Sequence, residues 1–378
     1  MALSLLASSA AVAQAPQLTK NNIDQVLKAM TLEEKATLLV GGEYDFWSTT
    51  AIAGNSSRTV PGAAGSSVAI ERLGIPETVL TDGPAGVRID AHRAGTEKTY
   101  FATGFPVGTC LASTWNTELV NQVGKAIGNE TKEYNCDVIL GPGVNIHRNP
   151  LCGRNFEYYS EDPYQAGKLA TAFIHGVQGM GIGVSLKHFA CNNQEYKRQN
   201  GNSIVDQRAF HEIYLKPFEI AVKQAKPSTV MCSYNQINGV YSSDNKELLT
   251  DILRKDWGFD GLVMTDWGAL VDRIKAFKAG CDLNMPGGSK YMEKAAFKAV
   301  KSGQLSEEDI NKSVERILVE VEKGVNHRKD YTFDREEQHN LAKQIALEGA
   351  VLLKNDGILP LPTESSTECK NCNKVTNG

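Results

Sequence analysis

Leu262-Val-Met-Thr-Asp266-Trp267 is a short apolar run that breaks without a turn into a carboxylate and an aromatic ring. The same event recurs along the chain. Thr78–Leu80 leads into Thr81-Asp82-Gly-Pro, Val138–Leu140 into Gly141-Pro-Gly-Val-Asn-Ile-His147-Arg148, and Gly183–Leu186 into Lys187-His188-Phe189. Thr229–Cys232 leads into Ser233-Tyr234-Asn235, and Cys281–Leu283 into Asn284-Met285-Pro286. Apolar runs without alternation suit parallel strands buried on both faces. Helical patterns fill the intervals, at 115–133, 163–179, 206–225, 246–257 and 269–278. Strands alternating with helices predict an α/β fold. Polar residues at the C-terminal edge of all six runs predict a (β/α)8-type TIM barrel, with room for an irregular first strand. On such a barrel those edges converge on one face, where the chemistry sits.

Outside the barrel pattern, Thr31-Leu-Glu-Glu34 reads as a capping box opening a helix. Ser306-Glu-Glu-Asp309 opens another, running to about Lys323 with Ile310, Val314, Ile317 and Val321 on one face. Asn326–Tyr331 reads as a polar linker, residues 335–355 as a helix, and residues 362–378 as a disordered tail too polar to build a core. Residues 16–325 are therefore the expected barrel domain. Residues 1–15 form a short apolar run ending in small residues around Ala11-Val12-Ala13. They read as a partial signal peptide, which predicts a secreted or periplasmic protein.

The 378 residues carry a net charge of −4, which argues against nucleic acid or an anionic membrane surface as a partner. No stretch is apolar for ~20 residues, so no membrane-spanning helix is expected. Six of the eight cysteines are scattered; Cys136, Cys232 and Cys281 read as buried thiols. Cys369 and Cys372 form a lone CxxC, and no histidine pair has ligand spacing, so neither a metal nor a cofactor is expected.

Five stretches in order resemble the family 3 glycoside hydrolases: Thr81–Arg88, Gly153-Arg-Asn-Phe-Glu-Tyr-Tyr-Ser-Glu-Asp-Pro163, Lys187-His-Phe189 with Asn193-Gln-Glu195, Met231–Asn235 and Met264-Thr-Asp-Trp-Gly268. The resemblance spans about residues 22–361. It implies a retaining β-glucosidase in which a carboxylate attacks the anomeric carbon and forms a glycosyl-enzyme ester. By the motif, Asp266 is that nucleophile, and nearby cations are expected to lower its pKa. Read alone, the same aspartate could be a helix cap. The resemblance further implies that Asp82, Arg148, Lys187, His188 and Arg198 bind the sugar hydroxyls. Met231, Tyr234 and Trp267 would line the same subsite. Arg154 and Glu157 read as a structural ion pair. Lys187-His-Phe-Ala190 favours glucosidase-like members over acetylglucosaminidase-like ones; a β-xylosidase remains the alternative within the family.

Glycosidases of this kind need a second carboxyl as general acid/base. In the family members this sequence resembles, it comes from an α/β sandwich domain after the barrel. Residues 326–361 read as the linker and first helix of that domain, truncated here. The expectation is weakened hydrolysis, a substitute acid such as Glu195 or Asp206, or a non-catalytic sugar-binding barrel. A Schiff-base aldolase built on Lys187 is the rival in another enzyme class. The apolar face of the last helix (Leu341, Ile345, Val351, Leu352) is expected to pack on the barrel or drive homo-oligomer formation.

Overall fold

A computed structural model describes residues 15–42, 57, 59–287, 290–327 and 332–361. The signal-like residues and the Cys369–Cys372 pair lie outside the described residues, apart from Ala15. The chain forms an α/β fold around a curled, barrel-like sheet. Its strands are β1 (Gly65–Ser66), β2 (Val79–Asp82), β3 (Val138–Leu140), β4 (Gly183–Phe189), β6 (Thr229–Cys232) and β9 (Leu262–Thr265), side by side in that order. β1 runs antiparallel to β2, and all other pairs are parallel. The first strand is thus irregular. A second, three-stranded ribbon of β5 (Asn202–Ser203), β7 (Gln236–Ile237) and β8 (Val240–Tyr241) is built from the loops after β4 and β6.

The sixth apolar run, Cys281–Leu283, does not form a strand. Asp282 and Leu283 both donate to the Val263 carbonyl, and Thr265 N–H donates to Leu283 O at 3.0 Å. Isolated bonds carry the pairing onward: Asn284 N–H to Leu39 O at 3.1 Å and Gly41 N–H to Asn284 O at 2.9 Å, then Gly42 N–H to Ser66 O at 2.7 Å on β1. The two sheet edges are joined by isolated backbone bonds rather than by strands. Among the described residues, a regular eightfold strand–helix repeat is replaced by this stitched closure.

Helices cover the sheet. α1 (Ile23–Ala29) and α2 (Leu32–Leu38) precede it; Thr31 and Glu34 form the reciprocal capping box that opens α2. α3 (Gly108–Ser113) and α4 (Thr117–Glu133) follow β2, and α5 (Pro163–Gly179) follows β3. After β4 come α6 (Gln207–Ala209), a π-turn over Phe210–Tyr214, and α7 (Lys216–Ala225). The segment predicted helical at 246–257 is wound as a π-helix over Glu247–Asp256. α8 (Arg273–Ala279), α9 (Lys290–Lys301) and α10 (Glu307–His327) complete the cover.

The strands feed two apolar clusters through their period of two. Val79, Ile139, Val184, Leu186, Val230 and Val263 join residues of α4, α5 and α7. Leu80, Val138, Leu140, Met231 and Met264 join residues of α1, α2, α9 and α10. Cys136, Cys232 and Cys281 are buried free thiols.

α11 (Arg335–Gly349) stops short of the predicted end at Asn355. Ile345 is fully buried, and Leu341 packs at the edge of the same cluster, so half of the predicted apolar face does dock on the barrel. Val351 and Leu352 lie instead on an extended, exposed segment beyond the helix.

Candidate functional site

The C-terminal ends of β2, β4, β6 and β9 converge on a cavity of about 160 Å3, lined by Asp82, Arg154, Lys187, His188, Arg198, Met231, Tyr234, Asp266 and Trp267, with Ala64 and Leu140. That is well below the ~300–1,000 Å3 of pockets for drug-sized ligands. Eight of the nine residues named from sequence meet there. Arg148 does not: it lies on an exposed loop stretch, and Arg154 occupies the cavity wall in its stead. Arg154 does pair with Glu157, as its sequence setting suggests, but one guanidinium makes the pair and faces the cavity. The signal that could have found it is the arginine of Gly153-Arg-Asn-Phe-Glu157, set beside a buried glutamate.

Asp266 sits just past β9, 7% exposed. Its Oδ1 accepts the Trp267 backbone N–H at 2.7 Å; its Oδ2 has no hydrogen-bond partner. Beside Oδ2 stand His188 Nε2 at 3.7 Å and the Arg198 guanidinium at 3.8 Å. Burial pushes the Asp266 carboxyl above its ordinary value, and Arg154, the Trp267 N–H, Arg198 and Lys187 offset only part of that. The direction is opposite to the sequence expectation, because burial outweighs the cations.

Asp82 has the reverse balance. Burial raises it, but Lys187 and Arg88, with hydrogen bonds from Lys187 and the Gly83 N–H, bring it down to about 2. Lys187 Nζ lies 3.0 Å from Asp82 and 3.4 Å from Glu157, with its side chain 3% exposed. Arg88 stands 3.4 Å from the other Asp82 oxygen. The loop that presents Asp82 requires glycine twice, because Gly83 and Gly86 hold positive φ that side chains disfavour. A Cβ on Gly83 would also collide with the Gly86 carbonyl oxygen, and one on Gly86 with the Thr103 carbonyl oxygen.

β4 shifts register between Leu186 and Phe189, the stretch that carries Lys187 and His188. Such irregularities re-aim side chains beside sites. Asn145 clamps the His188 backbone, accepting its N–H and donating to its O at 2.9 Å each. Burial, then Arg154, Lys187 and Arg198, hold His188 well below its ordinary pKa, so the ring is neutral.

The loop after β4 supplies Arg198. It pairs with Glu195 at 3.1 Å and stacks over the Tyr234 ring at 4.2 Å. Tyr234 donates to Trp267 O at 2.8 Å, and Trp267 Nε1 donates to Ala64 O at 2.9 Å. The wall is thus a chain of mutually fixed aromatic and cationic groups.

Neither candidate substitute acid hangs free over the cavity. Glu195 is taken up by Arg198 and Asn192. Asp206 is exposed and caps α6 through the Ala209 N–H at 3.0 Å. A larger depression of about 550 Å3 shares Asp82 and Arg154 with it, adds Glu157, and runs along Gly83–Ile89 and Ala102–Gly104. Another, about 560 Å3 between α4 and α11, carries none of these residues. No cluster of metal-ligating side chains occurs among the described residues.

At the strand ends of the barrel-like α/β sheet, cations and aromatic rings thus surround a buried carboxylate with one oxygen unbonded. Residues 63–319 match the family model described as glycosyl hydrolase family 3 N terminal domain. The chain belongs to that family. It is 47% identical over 345 residues to thermostable beta-glucosidase B of Acetivibrio thermocellus, covering 90% of this chain and 43% of that protein. It is 43% identical over 342 residues to an exo-alpha-(1->6)-L-arabinopyranosidase of Bifidobacterium longum, covering 89% and 42%. The structure of beta-glucosidase 3B from Thermotoga neapolitana in complex with glucose superposes with a TM-score of 0.84 at 46% identity, over 90% of this chain and 48% of that one. The chain spans less than half the length of these relatives.

Proposed function

We propose that the cavity receives the terminal β-D-glucosyl unit of a β-glucoside or cello-oligosaccharide, and that Asp266 attacks its anomeric carbon with retention of configuration. The observation that carries this reading is the unbonded Asp266 Oδ2, buried in a cavity of monosaccharide scale. Attack forms the Oδ2–C1 bond as the glycosidic C1–O bond breaks; water then cleaves the ester. The Asp82 carboxylate accepts from adjacent hydroxyls, while Lys187, Arg154 and Arg198 donate to others. These charged contacts strengthen as the ring gains oxocarbenium character. The Trp267 and Tyr234 rings and Met231 give the sugar its apolar wall.

Lys187 is held by two carboxylates, an arrangement for a hydroxyl donor rather than an amine nucleophile, which speaks against the aldolase reading. A second reading, a non-catalytic sugar-binding barrel, is favoured by one observation: Glu195 and Asp206, the two candidate substitute acids, are both engaged elsewhere. Leaving-group protonation typically contributes ~10²–10⁴-fold. Hydrolysis rates of aryl β-glucosides with acidic and basic phenols therefore decide between the two. Rates that fall ~10²-fold or more as the phenol becomes more basic mark an unassisted nucleophile; equal, fast rates mark a working acid. No turnover of any of them, with glucose bound, leaves the binding barrel. Aryl xylosides in the same series test the β-xylosidase alternative.

A further inference from the structure

His188 presents one ring nitrogen to the cavity, and the atoms behind it decide whether that nitrogen carries a proton. The ring is 1% exposed and neutral. Its Nδ1 lies 3.0 Å from the Tyr158 hydroxyl. Tyr158 is fully buried in the Gly153–Pro163 loop, and burial keeps its phenol protonated. A phenol has one hydrogen to give. The side-chain nitrogen of Asn192 lies 2.9 Å from the Tyr158 hydroxyl and 2.8 Å from Glu195 Oε1. A carboxylate oxygen only accepts, so the Asn192 atom that meets it is the NH2, with one hydrogen for Glu195 and one for Tyr158. Glu195 is in turn pinned by Arg198 at 3.1 Å. The Tyr158 oxygen therefore accepts from Asn192, and its own hydrogen is left for His188 Nδ1.

We propose that Tyr158, oriented by Asn192 and Glu195, is a positioning residue that fixes His188 as the Nε2–H tautomer and so aims a hydrogen-bond donor into the cavity beside Asp266. With Nδ1 accepting, the ring proton sits on Nε2, 3.7 Å from the free Asp266 oxygen. The other tautomer would set two lone pairs against each other there and leave the Tyr158 hydrogen facing an N–H. Asn192 and Tyr158 thus control the polarity of a group they do not share a strand with. The tautomer assignment needs no ligand. Its use, donation to a sugar hydroxyl, rests on the function proposed above.

The test is long-range 1H–15N NMR of the histidine rings in the uniformly labelled full chain without sugar, with His188 assigned by its loss in His188→Gln. The wild type is expected to show a protonated Nε2 and an unprotonated Nδ1. Asn192→Asp turns the donor into an acceptor, so the Tyr158 hydrogen swings to it and His188 is expected to shift to Nδ1–H. Glucose affinity should fall about tenfold with it, the scale of one hydrogen bond. An Nδ1–H or doubly protonated His188 in the wild type overturns the proposal. So does a folded Asn192→Asp protein that keeps Nε2–H, whatever its affinity. If Asn192→Asp does not fold, the wild-type spectrum still decides. The expected tautomers with no glucose binding at all would support the positioning and count against the sugar site instead.

Discussion

Glu130→Gln isolates one buried charge. Glu130 lies on α4 with no exposed surface, and both its oxygens accept the Thr103 N–H, at 3.0 and 3.1 Å. Burial lifts the carboxyl from the ordinary 4.5 to about 7; the Thr103 bonds oppose this and Glu133 adds to it. Well below pH 4.5 the group is protonated folded or unfolded, and costs nothing. As pH rises through 4.5, the unfolded chain releases its proton first, so stability falls until the native carboxyl ionises near 7. At about 1.36 kcal/mol per pH unit, the interval from 4.5 to about 7 amounts to about 3 kcal/mol. Glutamine keeps an acceptor for Thr103 and cannot ionise. Its new N–H donors add a cost of about 1–3 kcal/mol that does not vary with pH. Urea unfolding of both proteins, followed by tryptophan fluorescence from about pH 4 to 8, should therefore show the variant gaining about 3 kcal/mol on the wild type across the range. A difference that stays constant with pH would refute the reasoning. Thr103, the residue that Glu130 holds, lines the depression that also borders Asp82 and Arg88.

Acid unfolding should expose the opposite case at Asp82. Its carboxyl is held at about 2 against an ordinary 3.8. That difference contributes roughly 2 kcal/mol, at about 1.4 kcal/mol per pH unit. The contribution is fully present above pH 3.8 and lost as pH falls through 2, so Asp82→Asn should remove that part of the acid dependence in urea unfolding carried down from about pH 4 to about pH 2. For glycoside turnover, the acid limb of kcat/KM should lie above 3.8, since Asp266 is raised by burial. Arg198→Ala should move the limb further up, because Arg198 favours the ionised form; a limb unchanged or shifted down would contradict the electrostatics. Asp82→Asn should also weaken glucose binding by about 2 kcal/mol, read by calorimetry, as a charge-assisted acceptor is lost.

The strands and the site are legible in the sequence where chemistry follows directly from a run. Each apolar run from Val79 to Thr265 is a strand, and polar residues at the ends of β2, β4, β6 and β9 meet at one cavity because parallel strands share a direction. The closure is not legible. Cys281–Leu283 looks like its neighbours, but it meets β9 through isolated bonds alone, and the closure beyond it runs from Asn284 through Val40 to Ser66, far away in sequence. Arg148 and Arg154 both follow β3 on one long loop, and only the fold shows which of them turns inward. The sign of the Asp266 shift is beyond reach for a related reason: the cations are visible as letters, whereas the burial that outweighs them is a property of the assembled cavity.

The central claim is that Asp266 Oδ2 is a nucleophile. A 2-deoxy-2-fluoro glucoside with a dinitrophenolate leaving group needs no proton donor to react, so it questions Asp266 without depending on the acid. Mass spectrometry of the incubated protein and its peptides should find one fluoroglucosyl ester, on the peptide carrying Asp266, and none in Asp266→Ala. An unlabelled chain that still binds glucose, or a label on another residue, would contradict the account.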